Sequence, residues 1–472
     1  MEWLRFSSLA IGSFPTCVLM CVLTIFLLTI KKKSISTWML VIYFGVLSIL
    51  LLSYVIRYSV LSTSMFHIGQ VSNLIVFGIA SYILFAYLFQ GNYYPLESKI
   101  LTTLFSIAAL SVYISIFVKY PTLGRAYDFE AHYFTYVYGV RVSVVTGLGF
   151  IWIIIIFFRK TVRTSEYSGS LSKNRITARL FIILVKMVRP VGKEARTFQA
   201  LALLTLGMFS ISFMYLLMSA EIISRETYGL FFNTMGLLTS FSIFLLYTNS
   251  IFEPSSFRGK LIGVSLAPTM LILGILSSII LSDADASFDQ KRKLETKNIK
   301  AMLVTEEASN IPGHVVYIVS RPEEGLFSSS YRIEHSSRED LRAPDFISND
   351  RREKARKLSR AVHDIMKSNS IDDSTQARTL VSTEIDRQTP PLFERQFRFF
   401  NLKDTDSFYI HYDFSYESRL YEIGYSYKWY RWVIHKTAVK LFYIILGSGI
   451  VILVLFPVFF YRSLFKIDLK IF

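Results

Sequence analysis

The chain has 472 residues, with 51 Lys plus Arg against 35 Asp plus Glu and a formal net charge of +16. It is 52% hydrophobic, 15% aromatic and only 18% charged, where average soluble chains carry roughly 25% charged residues. This composition excludes a disordered chain, a collagenous repeat and a disulfide-stapled miniprotein.

The charge is unevenly distributed. Residues 283–436 hold 25 Lys plus Arg and 25 Asp plus Glu, and the remainder holds 26 basic and 10 acidic residues. The whole excess therefore lies in the apolar part of the chain, as expected of membrane loops. A nucleic-acid-binding protein would carry it on a soluble module, so no nucleic-acid partner is expected.

A helix needs about 20 apolar residues to cross the hydrocarbon core. Nine such runs occur, near 8–30, 38–56, 68–90, 99–118, 135–158, 198–221, 227–248, 260–282 and 437–461. Lys31, Lys32 and Lys33 follow the first run, and the connector 159–197 carries ten basic residues. Arg258 and Lys260 follow the seventh run; Arg462, Lys466 and Lys470 follow the ninth. With Lys99, this side collects 19 Lys plus Arg against seven on the other. The richer side is expected to be cytoplasmic. The amino terminus and the neutral insert then lie outside, and the carboxyl terminus lies inside. The first run is not expected to be a cleaved signal peptide, because its positive charges follow the apolar stretch. Cys17 and Cys21 lie within that run, one turn apart, and read as small apolar-like side chains. The insert has no cysteine, so neither a disulfide nor a thiolate metal site is expected there.

The organisation is thus a seven-helix block (1–259), an eighth span (260–282), an insert (283–436), a ninth span (437–461) and a tail (462–472). In the connector 159–197, the apolar stretch Leu180–Val185 is too short to span. It reads either as an interfacial amphipathic helix held by anionic lipid or as an early start of the sixth span.

The insert reads as an α+β domain. Val315–Ser320 has the make-up of a buried strand, and Tyr331, Ile333 and His335 alternate with polar residues. A helix is predicted from Asp350 to about Lys367, with Asp350 as its cap and Glu353 completing a capping box. Strands follow at Arg395–Phe400, at Phe408–Phe414 and at Tyr421–Tyr427, the last extended by Trp429–Ile434. Strands, a helix and an antiparallel meander loosely resemble the small-molecule-sensing domains of bacterial receptors.

No catalytic constellation is found, and no enzyme activity, metal site or cofactor is expected. His411 and Asp413, two apart on a strand, share a face; they suit a ligand site, or else a solvated strand face. In the membrane block, ionisable residues are functional candidates. Arg57 ends the second run, Arg141 lies early in the fifth and Glu221 ends the sixth. A crevice uniting them could bind an anionic or amphipathic ligand; the alternative is snorkelling to headgroups. Pro268 interrupts the eighth run, and Pro457 and Arg462 sit at the exit of the ninth. These three are the candidates for signal transmission.

The stretch Leu455-Phe-Pro-Val-Phe-Phe-Tyr-Arg-Ser-Leu-Phe-Lys466 resembles the membrane exit of bacterial multidomain receptors that continue into a HAMP linker. Tyr421-Glu-Ile-Gly-Tyr and His435-Lys-Thr-Ala, ahead of the ninth run, are similar to the same receptors. In such families a nucleotide cyclase or a SpoIIE-type serine phosphatase follows. The seven-helix block resembles the sensory modules placed before histidine kinases. Here Lys466–Phe472 lacks the proline usual in the first HAMP helix and then stops, so no output activity carries over.

The resemblance implies the sensory half of a receptor in a bacterial inner membrane. It would detect a small-molecule or lipid ligand, form a homodimer and act through a separate cytoplasmic output protein. The fold class expected is a polytopic α-helical membrane protein of about nine spans with an inserted extracytoplasmic α+β domain. The alternatives are a transporter or transporter-associated subunit, and a non-signalling truncated remnant of a longer receptor.

Overall fold

In the computed structural model, the described residues are 4–30, 32–119, 126–129, 132–135, 139–166, 176–220, 222–250, 257–304, 311–323, 330–367, 382, 391–401 and 404–455. Nine helices among them are long and apolar enough to cross a membrane, the make-up of a multi-pass membrane protein. The chain divides into two compact units, Met1–Ile280 with Ala438–Phe472, and Leu281–Thr437.

The first unit is helical. Helix α1 (Ser8–Thr29) starts at Ser7, whose hydroxyl accepts the Ala10 N–H at 3.2 Å. Helix α2 (Ile35–Ser59) starts at Ser34, which caps Thr37 N–H in the same way. These side chains satisfy amide groups that the first helical turn leaves without partners. A 3-10 segment (Thr63–Leu74) leads into α3 (Ile75–Leu88), and α4 (Pro95–Lys119) opens with proline. Strands β1 (Ala126–Asp128) and β2 (Tyr133–Thr135) pair as a small hairpin. Helices α5 (Gly139–Thr164), α6 (Ile176–Val188), α7 (Lys193–Ser219) and α8 (Arg225–Ser250) follow. The short apolar stretch around Leu180 therefore belongs to a separate 13-residue helix, with Phe181, Leu184 and Val188 exposed. Gly192, at φ +103°, makes the turn between α6 and α7, a conformation glycine adopts without strain.

Helix α1 packs on α2 and α8, α2 on α3, α3 on α5, α5 on α7, and α7 on α8. Six helices thus close a ring. Helix α4 lies outside it, against α3 and α5. It exposes Ile100, Leu104, Ile107, Leu110, Ile114 and Phe117, a stripe at helical spacing suited to hydrocarbon. Lys160, fully buried, donates to the carbonyls of Tyr87, Phe89 and Gly91 at 2.7, 2.8 and 2.9 Å. It thereby supplies donors for the end of α3, a use of a cation at a helix carboxyl terminus.

Helix α9 (Phe257–Val304) is a single helix of 48 residues that continues through Pro268. Helix α11 (Tyr427–Ile450) runs into a π-helical turn at Val451–Leu455. Pro457 and Arg462 lie outside the described residues.

The second unit is built on a five-stranded antiparallel sheet. Its strands are β3 (Val315–Pro322), β4 (Arg332–Ser336), β5 (Gln396–Phe399), β6 (Phe408–Tyr416) and β7 (Arg419–Ser426), in the order β4-β3-β7-β6-β5. Helix α10 (Ala343–Lys367) connects β4 to the later strands. One face of the sheet presents Tyr317, Val319 and Tyr409 to Phe346 of α10. The other face carries Tyr412, whose hydroxyl donates to Asp289 of α9 at 2.6 Å.

Two sequence expectations are corrected here. Helix α10 begins seven residues before Asp350, with the Asp345 carboxylate accepting Arg342 N–H at 2.9 Å. Asp350 is not a cap; it is buried inside the helix, because its carboxylate is drawn to cations on the sheet. Trp429–Ile434 does not extend β7; it is the first part of α11. The sequence pattern was ambiguous because Trp429, Tyr430, Trp432, Val433 and Ile434 are aromatic or β-branched, types that favour strands, although the buried Tyr427, Tyr430, Arg431 and Ile434 share one helix face.

Candidate functional site

Strand β6 lies inside the sheet, between β5 and β7, and is buried on both faces from Phe408 to Phe414. His411 and Asp413 point to the α10 face, and Asp413 stands directly opposite Glu422 on β7. Two carboxylates at paired sheet positions repel each other. Cations from three directions resolve the repulsion. Arg398 of β5 donates to both Glu422 oxygens, at 2.8 and 2.7 Å, and to Asp350 at 2.8 Å. Arg321 of β3 lies 3.6 Å from Asp350 and 3.8 Å from Asp413. His411 Nδ1 is 3.0 Å from Asp413 and 3.7 Å from Glu422. Tyr317 donates to Glu422 and Tyr331 to Asp350, both at 2.6 Å.

All six ionisable residues are buried. The solvated-face alternative for His411 and Asp413 is therefore overturned. Burial opposes the charged form of His411, but Glu422 and Asp413 outweigh it and raise its pKa above the ordinary 6.5. Burial likewise opposes the charge on Glu422, but Arg398 and His411 outweigh it and hold that carboxyl below the usual range. Two guanidinium groups and one imidazole then face three carboxyl groups.

His411, Asp413 and Glu422 could each offer one ligand atom within 4.8 Å of the others. The donor set argues for an ion network over a metal site. Both Glu422 oxygens are taken by Arg398, and Arg321 stands beside Asp413. Two guanidinium groups in the same cluster would repel a divalent cation.

The second feature lies in the helical unit. A cavity of about 190 Å³ opens within the ring of six helices. Its lining comes from the first halves of α1, α5 and α8, the second half of α7, the 3-10 segment and start of α3, and α2 from Tyr43 to Tyr58, so it runs from one end of the ring toward its middle. Arg57, on the last turn of α2, lines it together with Tyr54 and Tyr58. The guanidinium is buried and lies 5.4 and 5.5 Å from those two rings, within cation–π range. No carboxylate occurs among the described lining residues. Tyr43 also lines the cavity, is fully buried, and its hydroxyl makes no hydrogen bond among the described residues.

The structure thus brings His411 and Asp413 together and places Arg57 in a cavity. Arg141 is exposed on the first turn of α5 and does not line the cavity, although its neighbours Val142 and Ser143 do. Glu221 lies outside the described residues. Sequence reasoning missed Arg321, Asp350, Arg398 and Glu422. For Arg321 and Glu422 the signal was a charge on a strand that a central place in the sheet buries; Arg398, on an edge strand, and Asp350, on α10, gave none. Tyr43 gave no signal, because one tyrosine among many in apolar runs is unremarkable.

No family model, no curated protein and no solved structure matches the chain.

Proposed function

We propose that the chain is a signal receptor of a bacterial inner membrane. In this reading the sheet-bearing unit lies outside the cell, the amino terminus is outside and the carboxyl terminus is cytoplasmic. The single observation that carries the reading is a junction. Strand β7 ends at Ser426 and α11 begins at Tyr427, so a strand of the sheet passes into an apolar helix with no linker.

A second tie supports it. Arg395, next to β5, grips Asp285 of α9 through two hydrogen bonds, at 2.8 and 2.7 Å. Tyr430 of α11 donates to the same Asp285 at 2.6 Å. A change in the sheet would therefore displace the stems of α9 and α11 together, and helix shifts of this kind transmit signals in many receptors. A homodimer and a separate cytoplasmic output protein complete the proposal by resemblance to the bacterial receptors. No catalytic activity is assigned to the chain.

The test uses protein reconstituted in liposomes, in a background lacking Cys17 and Cys21. Spin labels replace Ile272 on α9 and Ile444 on α11, both exposed. Asp285→Asn is expected to shift the distance distribution between them. An unchanged distribution would argue against transmission, and solute uptake dependent on Arg141 would favour a transporter.

A further inference from the structure

The charged cavity in the helix ring calls for a ligand of definite chemistry, whatever the chain signals. Its size comes first. An apolar cavity of about 150 Å³ takes up benzene. At about 190 Å³, this one has room for a single ring or a short chain with a small polar head.

Its polarity comes second. The apolar walls are Leu9, Leu47, Leu50, Phe150, Met208 and Phe232. Against them stand one cation, Arg57, small polar side chains such as Ser143 and Thr146, and two buried atoms without a hydrogen bond among the described residues, the Tyr43 hydroxyl and Asn233 Oδ1. Burying a polar group with no hydrogen bond is costly. The Tyr43 hydroxyl therefore marks a place where a ligand oxygen or nitrogen would be welcome. A planar guanidinium resting beside two tyrosine rings carries its N–H groups in a fork matched to a carboxylate. Small-molecule pockets combine apolar walls with polar groups that fix the ligand's orientation, and this cavity offers both.

We propose that this cavity binds a small monocarboxylate, aromatic or short-chain aliphatic, with its carboxylate on Arg57 and its apolar body among the ring helices. The ligand is an amphipathic weak acid that reaches the site from solvent or through the bilayer interface. Arg57 selects the charge, and the cavity volume limits the body.

Binding of benzoate, benzyl alcohol, hexanoate and palmitate to the detergent-solubilised full-length protein tests this by calorimetry and thermal shift. The wild type is expected to bind benzoate and hexanoate more tightly than benzyl alcohol. Arg57→Gln should weaken benzoate at least about tenfold, the value of a hydrogen bond to a charged group, and leave benzyl alcohol unchanged. Retained benzyl alcohol binding also shows that the variant is folded. Arg57→Lys should recover part of the benzoate affinity. Absence of benzoate binding at millimolar concentration would overturn the proposal. So would equal affinity for benzoate and benzyl alcohol in the wild type, or unchanged benzoate binding in Arg57→Gln. Palmitate binding as tight as benzoate would overturn it as well, since the cavity would then be a lipid site.

Discussion

Tyr317 reaches Glu422 at 2.6 Å because its ring crosses β7 over Gly424, where an added Cβ would come within 2.2 Å of the ring. Glycine is required at position 424 by this close approach and not by its backbone angles. Gly424→Ala is therefore expected to displace Tyr317 from Glu422. The cost should be about 1–3 kcal/mol, as for other overpacked interiors, read as a lower Tm of the whole protein. A Tm equal to wild type would show that the ring can move aside freely.

The ion cluster should respond to partner removal in a diagnostic way. Glu422→Gln leaves Arg398 buried with one charge partner fewer, and breaking such a pair costs about 3–5 kcal/mol. The double variant Arg398→Met with Glu422→Leu removes both charges, and apolar replacements of whole pairs are often neutral. Thermal unfolding should therefore place the double variant above the Glu422→Gln single variant. Additive loss in the double variant would mean that the cluster is not a mutually compensating unit.

The cluster also sets a pH window. His411 has a native pKa above 6.5, so its protonated form contributes stability fully below about 6.5, and this is lost as pH rises through the native value. Glu422 has a native pKa below 4.5. Its contribution is present above 4.5 and is lost as pH falls through the native value. Stability of the sheet-bearing unit should fall on both sides of this window. His411→Gln should flatten the alkaline limb and leave the acid limb in place. An alkaline limb unchanged by His411→Gln would assign that loss to another group.

How much of this was legible in the sequence depended on the kind of signal. The nine apolar runs were readable because membrane spanning demands length and apolarity, both of which sequence carries directly. Strand β6 was readable from the alternation of Phe408, Ile410, Tyr412 and Phe414. Its other face was misjudged as possible solvent surface, because His411 and Asp413 look solvated until Arg398, Arg321 and Asp350 are brought to them from distant segments. The start of α11 was missed for a related reason. Tyr427, Tyr430, Arg431 and Ile434 are buried on one helix face, but the buried arginine and the exposed Trp432 hide that face from a hydropathy reading, and the aromatic and β-branched residues around them favour a strand. The helix-ring cavity is a tertiary object: Arg57 could be singled out for its charge, but Tyr43 could not.

Lys160 shows that basic residues flanking the spans also have structural uses. It was counted as an orientation charge, yet it holds three carbonyl groups at the end of α3. Lys160→Met is expected to leave those acceptors without their donor and to cost on the order of 1–3 kcal/mol for a buried acceptor left unsatisfied. Its neighbour Arg159 pairs with Glu97 at 2.6 Å. Thermal unfolding checks the first effect, and a Tm unchanged by Lys160→Met would return the residue to a purely topological role.

In the proposed topology the sheet-bearing unit lies on the opposite side of the membrane from the basic connectors. Alkaline phosphatase fused after Ser370 reports on that unit, and the same enzyme fused after Gly169 reports on the connector between α5 and α6. Activity is expected from the Ser370 fusion and none from the Gly169 fusion when each is expressed in a bacterial inner membrane. The reverse pattern would contradict the proposed topology.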